Sequence, residues 1–178
     1  MPNSIDTEKF VNNNKERSKD IVYIGSIGQH KSPIACLNYA IKHDLTIDFY
    51  GPLWFTDDET SYETEFTDML KKYKKARLLG ECNDLEKIKI LNDYKYFIFL
   101  AGVDKEQWSE PFGIAPLEAM ACGCTVITQY KKGGHTSFCN KDNSISYEES
   151  PKQLKPDAVR NSVLELDYRN VFSKYYPQ

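Results

Sequence analysis

No apolar run in this chain approaches the ~20 residues that a membrane-spanning helix needs. The first twenty residues, MPNSIDTEKFVNNNKERSKD, are polar, so neither a signal peptide nor an anchor is expected, and a soluble cytoplasmic protein is. Charge of one sign is equally scarce, since 23 Lys and Arg stand against 26 Asp and Glu for a net charge of −3. Without a basic stripe to neutralise successive phosphates, a nucleic-acid partner is not expected. The five cysteines, Cys36, Cys82, Cys122, Cys124 and Cys139, are an odd number without C-x2-C spacing, which argues for free thiols rather than a disulfide framework or a zinc site. Cys122-Gly-Cys124 reads as a pair of small buried residues at a helix-to-strand junction. His30, His43 and His135 lack metal-ligand spacing and no Asp-x-Asp pair is present, so no metal is expected. There is no internal repeat and no low-complexity tract. At 178 residues the chain suits one domain with a real core.

What is present is an alternation of short apolar runs with helical periodicity. IVYIG (21–25) reads as a strand, followed by a helix over SPIACLNYAIKH with Ser32 as N-cap and Pro33 at the first helical position. TIDFYG (46–51) is a second strand, after which Tyr62, Phe66, Met69, Leu70 and Tyr73 share one helical face. ARLLG (76–80) is a third strand, DLEKIKILND (84–93) a helix through Leu85, Ile88 and Leu91, and YFIFLAG (96–102) a fourth strand. A helix is predicted from Ile114 to Cys122 and a fifth strand at CTVIT (124–128). A weak strand at SISY and helices around 155–166 and 168–175 complete the reading. Uniformly apolar strands alternating with helices predict a doubly wound, mainly parallel α/β sheet covered on both faces.

In such sheets ligands bind beyond the carboxyl ends of the strands, where helix N-termini direct free N–H groups into a crevice. The segments GSIGQHK, GECND, EPFG and YKKGGH all follow predicted strands. In WSEPFGIAPLEAMACG, Glu110 precedes a helix and Glu118 lies inside it. Two carboxylates on either side of a helix N-terminus suit a ligand with hydroxyls at two places and an anion between them, as in a nucleoside-diphosphate sugar.

That stretch closely resembles the Glu-x7-Glu signature of retaining glycosyltransferases of the GT-B fold, in the large family that holds sucrose synthases and bacterial mannosyltransferases. The resemblance implies the Rossmann-like half of a GT-B enzyme and a GDP- or UDP-linked sugar as donor. It gives Glu110 contact with hydroxyls of the transferred sugar and Glu118 the ribose, with backbone N–H groups from Phe112 through Gly113 to Ile114 facing sugar and diphosphate. VYIGSIGQHK (22–31) resembles the family's first strand and phosphate loop, which implies that Gly25, Ser26 and Lys31 lie at the diphosphate. Lys31 matches the family's lysine, whereas Ser26 replaces an arginine and so removes a bidentate fork; His30, Lys131 and Lys132 are candidates to compensate. On this resemblance Lys31 and Glu110 are the catalytic pair.

LLGECNDLEK (78–87) is similar to the strand and turn that hold the base, with Cys82 and Asp84 in contacting positions and Lys87 one turn on. A carboxylate at Asp84 suits the donors of guanine; the alternative is that Asp84 simply caps the helix that follows. PNSIDTEKF (2–10) resembles the family's interdomain linker, so residues 1–20 are read as a linker remnant and 21–178 as the nucleotide-sugar-binding domain. An N-terminal acceptor-holding domain is then expected outside this chain, and the chain alone is expected to be inactive. The family's Gly-Gly-x-x-Glu stands here as Gly133-Gly134-His135-Thr136-Ser137, without the glutamate. Two other readings remain open: a module that binds a nucleotide or sugar nucleotide without transfer, and a sugar-nucleotide epimerase, against which EPFGIAPLEAMA argues. Trp108 reads as a packing residue or loop anchor, and Lys71, Lys72, Lys74 and Lys75 as a solvated helix face.

Overall fold

The apolar runs become strands because both of their faces are buried. In the computed structural model, which describes residues 4–175, Val22, Phe97, Phe99 and Val126 enter one core, while Ile21, Tyr23, Tyr96, Ile98 and Ile127 enter another on the opposite face. The strands are β1 (Lys19–Ile24), β2 (Ile47–Tyr50), β3 (Ala76–Leu78), β4 (Tyr94–Phe99), β5 (Thr125–Thr128) and β6 (Ser144–Ser146). They form one sheet in the order β3-β2-β1-β4-β5-β6, and every pairing is parallel. The helices are α1 (Pro33–Lys42), α2 (Thr60–Lys72), α3 (Asp84–Asp93), α4 (Ile114–Ala121), α5 (Pro156–Asn161) and α6 (Tyr168–Tyr175). Leu37 and Ala40 of α1 and Phe66 of α2 fill the core on one face. Leu91 of α3, Leu117 and Met120 of α4 and Val159 of α5 fill the other. The doubly wound parallel sheet is therefore as the alternating pattern predicts.

Three local expectations are corrected. Ser32 does stand immediately before α1, but in the left-handed region (φ 57°) and without a side-chain cap; its hydroxyl instead accepts from the Asp104 amide at 2.9 Å. The cap of α3 is Asn83, not Asp84: the Asn83 side chain accepts from the amides of Leu85 and Glu86, and Glu86 returns the bond to the Asn83 amide. This is a capping box, and it leaves Asp84 as the first residue of the helix. Leu85 is 72% exposed, so the apolar contacts of α3 with the core come from Ile88, Ile90 and Leu91. Strand ends also differ, since β1 and β4 begin together in the register Lys19↔Tyr94, where backbone pairing continues past the apolar run.

Residues 4–17 are tied to the rest of the chain by polar contacts. Ile5 bonds the backbone of Leu166 and Tyr168. The guanidinium of Arg17, itself 5% exposed, donates to the carbonyls of Leu91, Tyr94 and Cys122, and that of Arg160 donates to Thr7, Phe10 and Ala121. The two arginines thus satisfy carbonyls in the last turns of α3 and α4 that the helices themselves leave unpaired. Residues 1–3 and 176–178 of the two expected segments lie outside the described residues.

Asp167 closes this junction by accepting from the amide and hydroxyl of Thr7 at 3.0 and 2.6 Å and from Arg169 at 2.6–2.7 Å. The Arg169 guanidinium holds its carboxyl well below the usual carboxylate range; burial opposes this, and Thr7 reinforces it. Because the native pKa lies below the unfolded value of about 3.9, the contribution is fully present at neutral pH and is lost as pH falls through the native value. Asp167→Asn is expected to lower the urea midpoint at pH 7, with the gap to wild type closing on acidification below about pH 4. Equal midpoints at pH 7, or a gap that widens in acid, would show that Asp167 does not fasten the segment.

Candidate functional site

β1 lies between β2 and β4, so the chain leaves the carboxyl ends of these neighbours in opposite directions and a crevice opens between the loops. A cavity occupies that place. Tyr23, Ile24, Gly25 and Ser26 line it from the end of β1 and Phe99 from the end of β4. Lys31 and Glu110 enter from the following loops, and Gly113, Ile114 and Ala115 bring the start of α4. The first amides of a helix have no partner within it, so α4 presents both N–H donors and its positive end to the cavity.

The loop that carries Glu110 is docked from the far side by the segment after β5. The Gly134 amide donates to the Glu110 carbonyl at 2.8 Å, and a Cβ on Gly134 would stand 2.0 Å from the Pro111 carbonyl oxygen, so no residue but glycine fits this approach. His135 follows, fully buried, with Nε2 2.9 Å from the Gln129 carbonyl and its ring 5.1 Å from that of Phe99. Since the carbonyl can only accept, Nε2 carries the proton and Nδ1 is left as an unpartnered acceptor. Burial holds the His135 pKa below its ordinary value. In the sequence, spacing marks His135 only as no metal ligand; the paired glycines before it are the signal that this loop must approach another closely.

Each carboxylate of the Glu-x7-Glu pair has its own lysine. Lys31 Nζ donates to Glu110 Oε2, with the two side chains 22% and 13% exposed, and the same ammonium sits 4.7 Å from the centre of the Trp108 ring. Glu118, on the inward side of α4, is 8% exposed and accepts from Lys87 Nζ at 3.1 and 3.3 Å. Lys87 also stands 3.5 Å from Asp84, whose other oxygen accepts from Lys9 at 2.6 Å. Burial pushes the Glu118 carboxyl above its ordinary value, and Lys87 pulls it part of the way back. Lys87 is less deeply placed: burial, the largest single influence, acts to lower it, but the charges and hydrogen bonds of Glu118 and Asp84 together outweigh this and hold it above the ordinary lysine range. The hydrogen bond from Lys9, followed by the charge of Lys87, holds Asp84 below the usual carboxylate range.

The cavity therefore gathers Gly25, Ser26, Lys31, Glu110, Gly113 and Ile114, whereas Asp84, Lys87 and Glu118 form a second polar cluster along α3 and α4. Phe112 turns away from the cavity to set its ring 5.3 Å from that of Phe138. At Ser26 the backbone carbonyl accepts from the Tyr23 hydroxyl at 2.6 Å. Among the described residues Lys31 is the single cation lining the cavity. Lys131 pairs with Glu148 and Lys132 donates to the Glu106 carbonyl, while His30 lines a neighbouring crevice with its pKa lowered by burial. Cys122 and Cys124 are free, buried thiols pushed by burial up to about 12. Among the described residues no group of three His, Cys, Asp or Glu side chains is placed to hold a metal ion, and no helix is long and apolar enough to cross a membrane.

The family described as glycosyl transferases group 1 matches residues 4–175. No curated protein matches the chain. Among solved structures, AviGT4, a glycosyltransferase involved in avilamycin A biosynthesis, superposes with a TM-score of 0.80 at 16% identity, over 99% of this chain and 55% of that one. HepE from Anabaena, solved with UDP, gives 0.75 at 13% identity over 97% of this chain and 54% of that one. The C-terminal domain of LpcC, a glycosyl transferase group 1 family protein from Francisella tularensis, gives 0.63 at 18% identity, over 98% and 100% of the two chains. At such identities the likeness shows the fold, and this chain spans about half the length of AviGT4 and HepE.

The buried Glu118–Lys87 pair yields a stability prediction. Glu118 already has a raised native pKa, so its charged form costs the native state more as pH rises above the unfolded value. Removing the lysine deepens that cost. Lys87→Met is expected to lose about 2–3 kcal/mol at pH 7 and progressively less towards pH 4, where the carboxyl takes up a proton. Urea titrations across that range, with carbon NMR of the Glu118 carboxyl, check it; a pH-independent deficit would mean that Lys87 contributes packing and not charge.

Proposed function

The chain belongs to the group 1 glycosyl transferases, and from that premise we propose that it is the donor-binding domain of a retaining, metal-independent enzyme that transfers a hexose from a GDP- or UDP-linked sugar. The observation that supports this most is the cavity beyond β1 and β4, where a lysine, a carboxylate and the start of a buried helix meet. Lys31 and the first amides of α4 stabilise the charge that develops on the departing diphosphate. As Lys31 turns to the phosphate it releases Glu110, whose carboxylate then accepts from hydroxyls of the sugar and fixes its orientation. The backbone from Phe112 to Ile114 borders sugar and diphosphate, Gly25 and Ser26 allow the phosphates to approach β1, and Glu118 holds the ribose. Asp84 and Lys87 lie towards the base, where an Asp84 freed from Lys9 suits guanine; HepE, of like fold, is known with UDP, which keeps uracil a candidate. No side chain acts as nucleophile. The incoming hydroxyl attacks the oxocarbenium-like sugar on the face that the diphosphate leaves, which retains configuration.

With one cation at the diphosphate and serine where the family has arginine, a module that binds the sugar nucleotide without transferring it is the second reading. Donor binding is common to both and is tested first. GDP or UDP is expected to bind with no divalent cation added and with affinity unchanged by EDTA, and Glu118→Ala to weaken binding by about 1–3 kcal/mol through lost charge-assisted bonds to the ribose. Calorimetry decides; binding that EDTA abolishes, or an Ala variant with wild-type affinity, removes the assignment.

The acceptor, on this reading, is held by a second domain of similar size, and transfer needs closure of the two. Proximity and exclusion of water contribute about 7 kcal/mol or more to such a step, so the 178-residue chain alone is expected to bind donor without measurable transfer. A radiolabelled-donor assay showing rapid transfer to a defined acceptor by this chain would place the acceptor site here instead.

A further inference from the structure

The chain has two tryptophans, and both line a single crevice that meets the donor cavity at Ser26. Trp54, in the loop after β2, is 62% exposed. Its backbone is nevertheless fixed: the Trp54 amide donates to the Ile27 carbonyl and the Ile27 amide to the Pro52 carbonyl, both at 2.8 Å. Gly28 permits this closure, since a Cβ there would stand 2.3 Å from the Trp54 carbonyl oxygen. A large ring is thus held towards water on an anchored loop, where it loses the burial that would otherwise stabilise it.

Trp108 faces the crevice from the loop after β4, with its amide bonded to the Lys105 carbonyl at 2.9 Å and the ring centres of His30 and Trp108 5.1 Å apart in an edge-on arrangement. Lys31, the cation of the donor cavity, lies against the same indole, so Trp108 forms a wall between the two spaces. Charged groups complete the crevice. Glu59, 4% exposed, accepts from Lys105 Nζ at 2.9 Å, and both residues line it.

Indole surfaces beside a buried carboxylate, an ammonium and an imidazole match a pyranose, whose C–H faces pack on aromatic rings while its hydroxyls both donate and accept. Glu59 opposes an anionic ligand, and a purely apolar one would leave the Glu59–Lys105 pair without water or hydroxyl partners. We propose that this crevice is a subsite for a neutral pyranose, separate from the pocket for the donor. Its contact with the donor cavity at Ser26 gives the occupant a role: it is an outlying sugar unit of an acceptor whose reacting end is held by the second domain, steadied here beside the donor. That role rests on the proposed transferase function; the binding of a pyranose does not.

Because Trp54 and Trp108 are the two tryptophans of the sequence, fluorescence excited where tyrosine does not absorb reports on the rings of this crevice, and the Trp54 variants separate a signal from the crevice from one that reaches Trp108 through Lys31. The 178-residue chain is titrated with the methyl α-pyranosides of glucose, galactose and mannose, with glycerol as control, and nucleotide binding is followed separately by calorimetry. At least one pyranoside is expected to give a saturable change that glycerol does not. Trp54→Ala should weaken it by about ten-fold or more while Trp54→Phe stays within about three-fold, because a flat ring rather than an indole N–H is what the sugar needs. Glu59→Gln should weaken it too, and Trp54→Ala should leave nucleotide affinity unchanged. A chain that binds nucleotide yet gives no saturable change with any pyranoside up to about 100 mM, or a Trp54→Ala variant that binds sugar like wild type, overturns the proposal. Sugar binding without nucleotide binding would leave the subsite standing and end the donor reading.

Discussion

The chain builds β1, moves outward to β2 and β3 at one edge, and then returns to lay β4 on the other side of β1. In a sheet whose every pairing is parallel, that reversal turns the chain after β1 and after β4 towards opposite faces and leaves a cavity between the two loops. The cavity, the start of α4 and the loops bearing Lys31 and Glu110 occupy their places because of that single change of direction. α4 has to be small and apolar to lie against the sheet there; six of its eight residues are buried, among them Glu118.

Burying carboxylates at such a junction has an electrostatic consequence. A carboxylate withdrawn from water requires a cation or a set of donors, and each of the two glutamates has taken a lysine from a different element: Lys31 from the turn before α1 and Lys87 from α3. The two carboxylates are therefore neutralised within the protein. On the function we propose, an incoming diphosphate exchanges partners with Glu110 rather than meeting a free ammonium, and Lys31 does so as the single cation that the described residues place at the cavity.

The edges of the site are held by loop-to-loop contacts made possible by the absence of side chains. The Gly134 amide reaches the Glu110 carbonyl, and Gly28 lets the loop of Trp54 close on Ile27. At the opposite end of the sheet, Arg17 and Arg160 do comparable work by bonding the last carbonyls of α3 and α4. α4 is thus fixed at its C-terminus by arginines, while its N-terminus remains available to a ligand.

The sequence alone determined the parallel α/β architecture, because period and burial are local properties: runs such as IVYIG and YFIFLAG are apolar on both faces and can only be interior strands. It also placed GSIGQHK and EPFG beyond the carboxyl ends of the strands, where they border the cavity, since loops after strands converge in any fold of this kind, and the family to which the chain belongs was legible in WSEPFGIAPLEAMACG. The pairings were not legible. Lys31 and Glu110 are 79 residues apart and Lys87 and Glu118 are 31 apart, and no periodicity relates them; the strand order brings them together. For the same reason Asn83 rather than Asp84 caps α3, Leu85 points outward, His135 is enclosed, and the two tryptophans share one crevice. Each depends on which loop lies against which. That is settled by close packing of the whole chain, where a missing Cβ or a nearby carbonyl decides the contact, and a linear pattern carries no record of it.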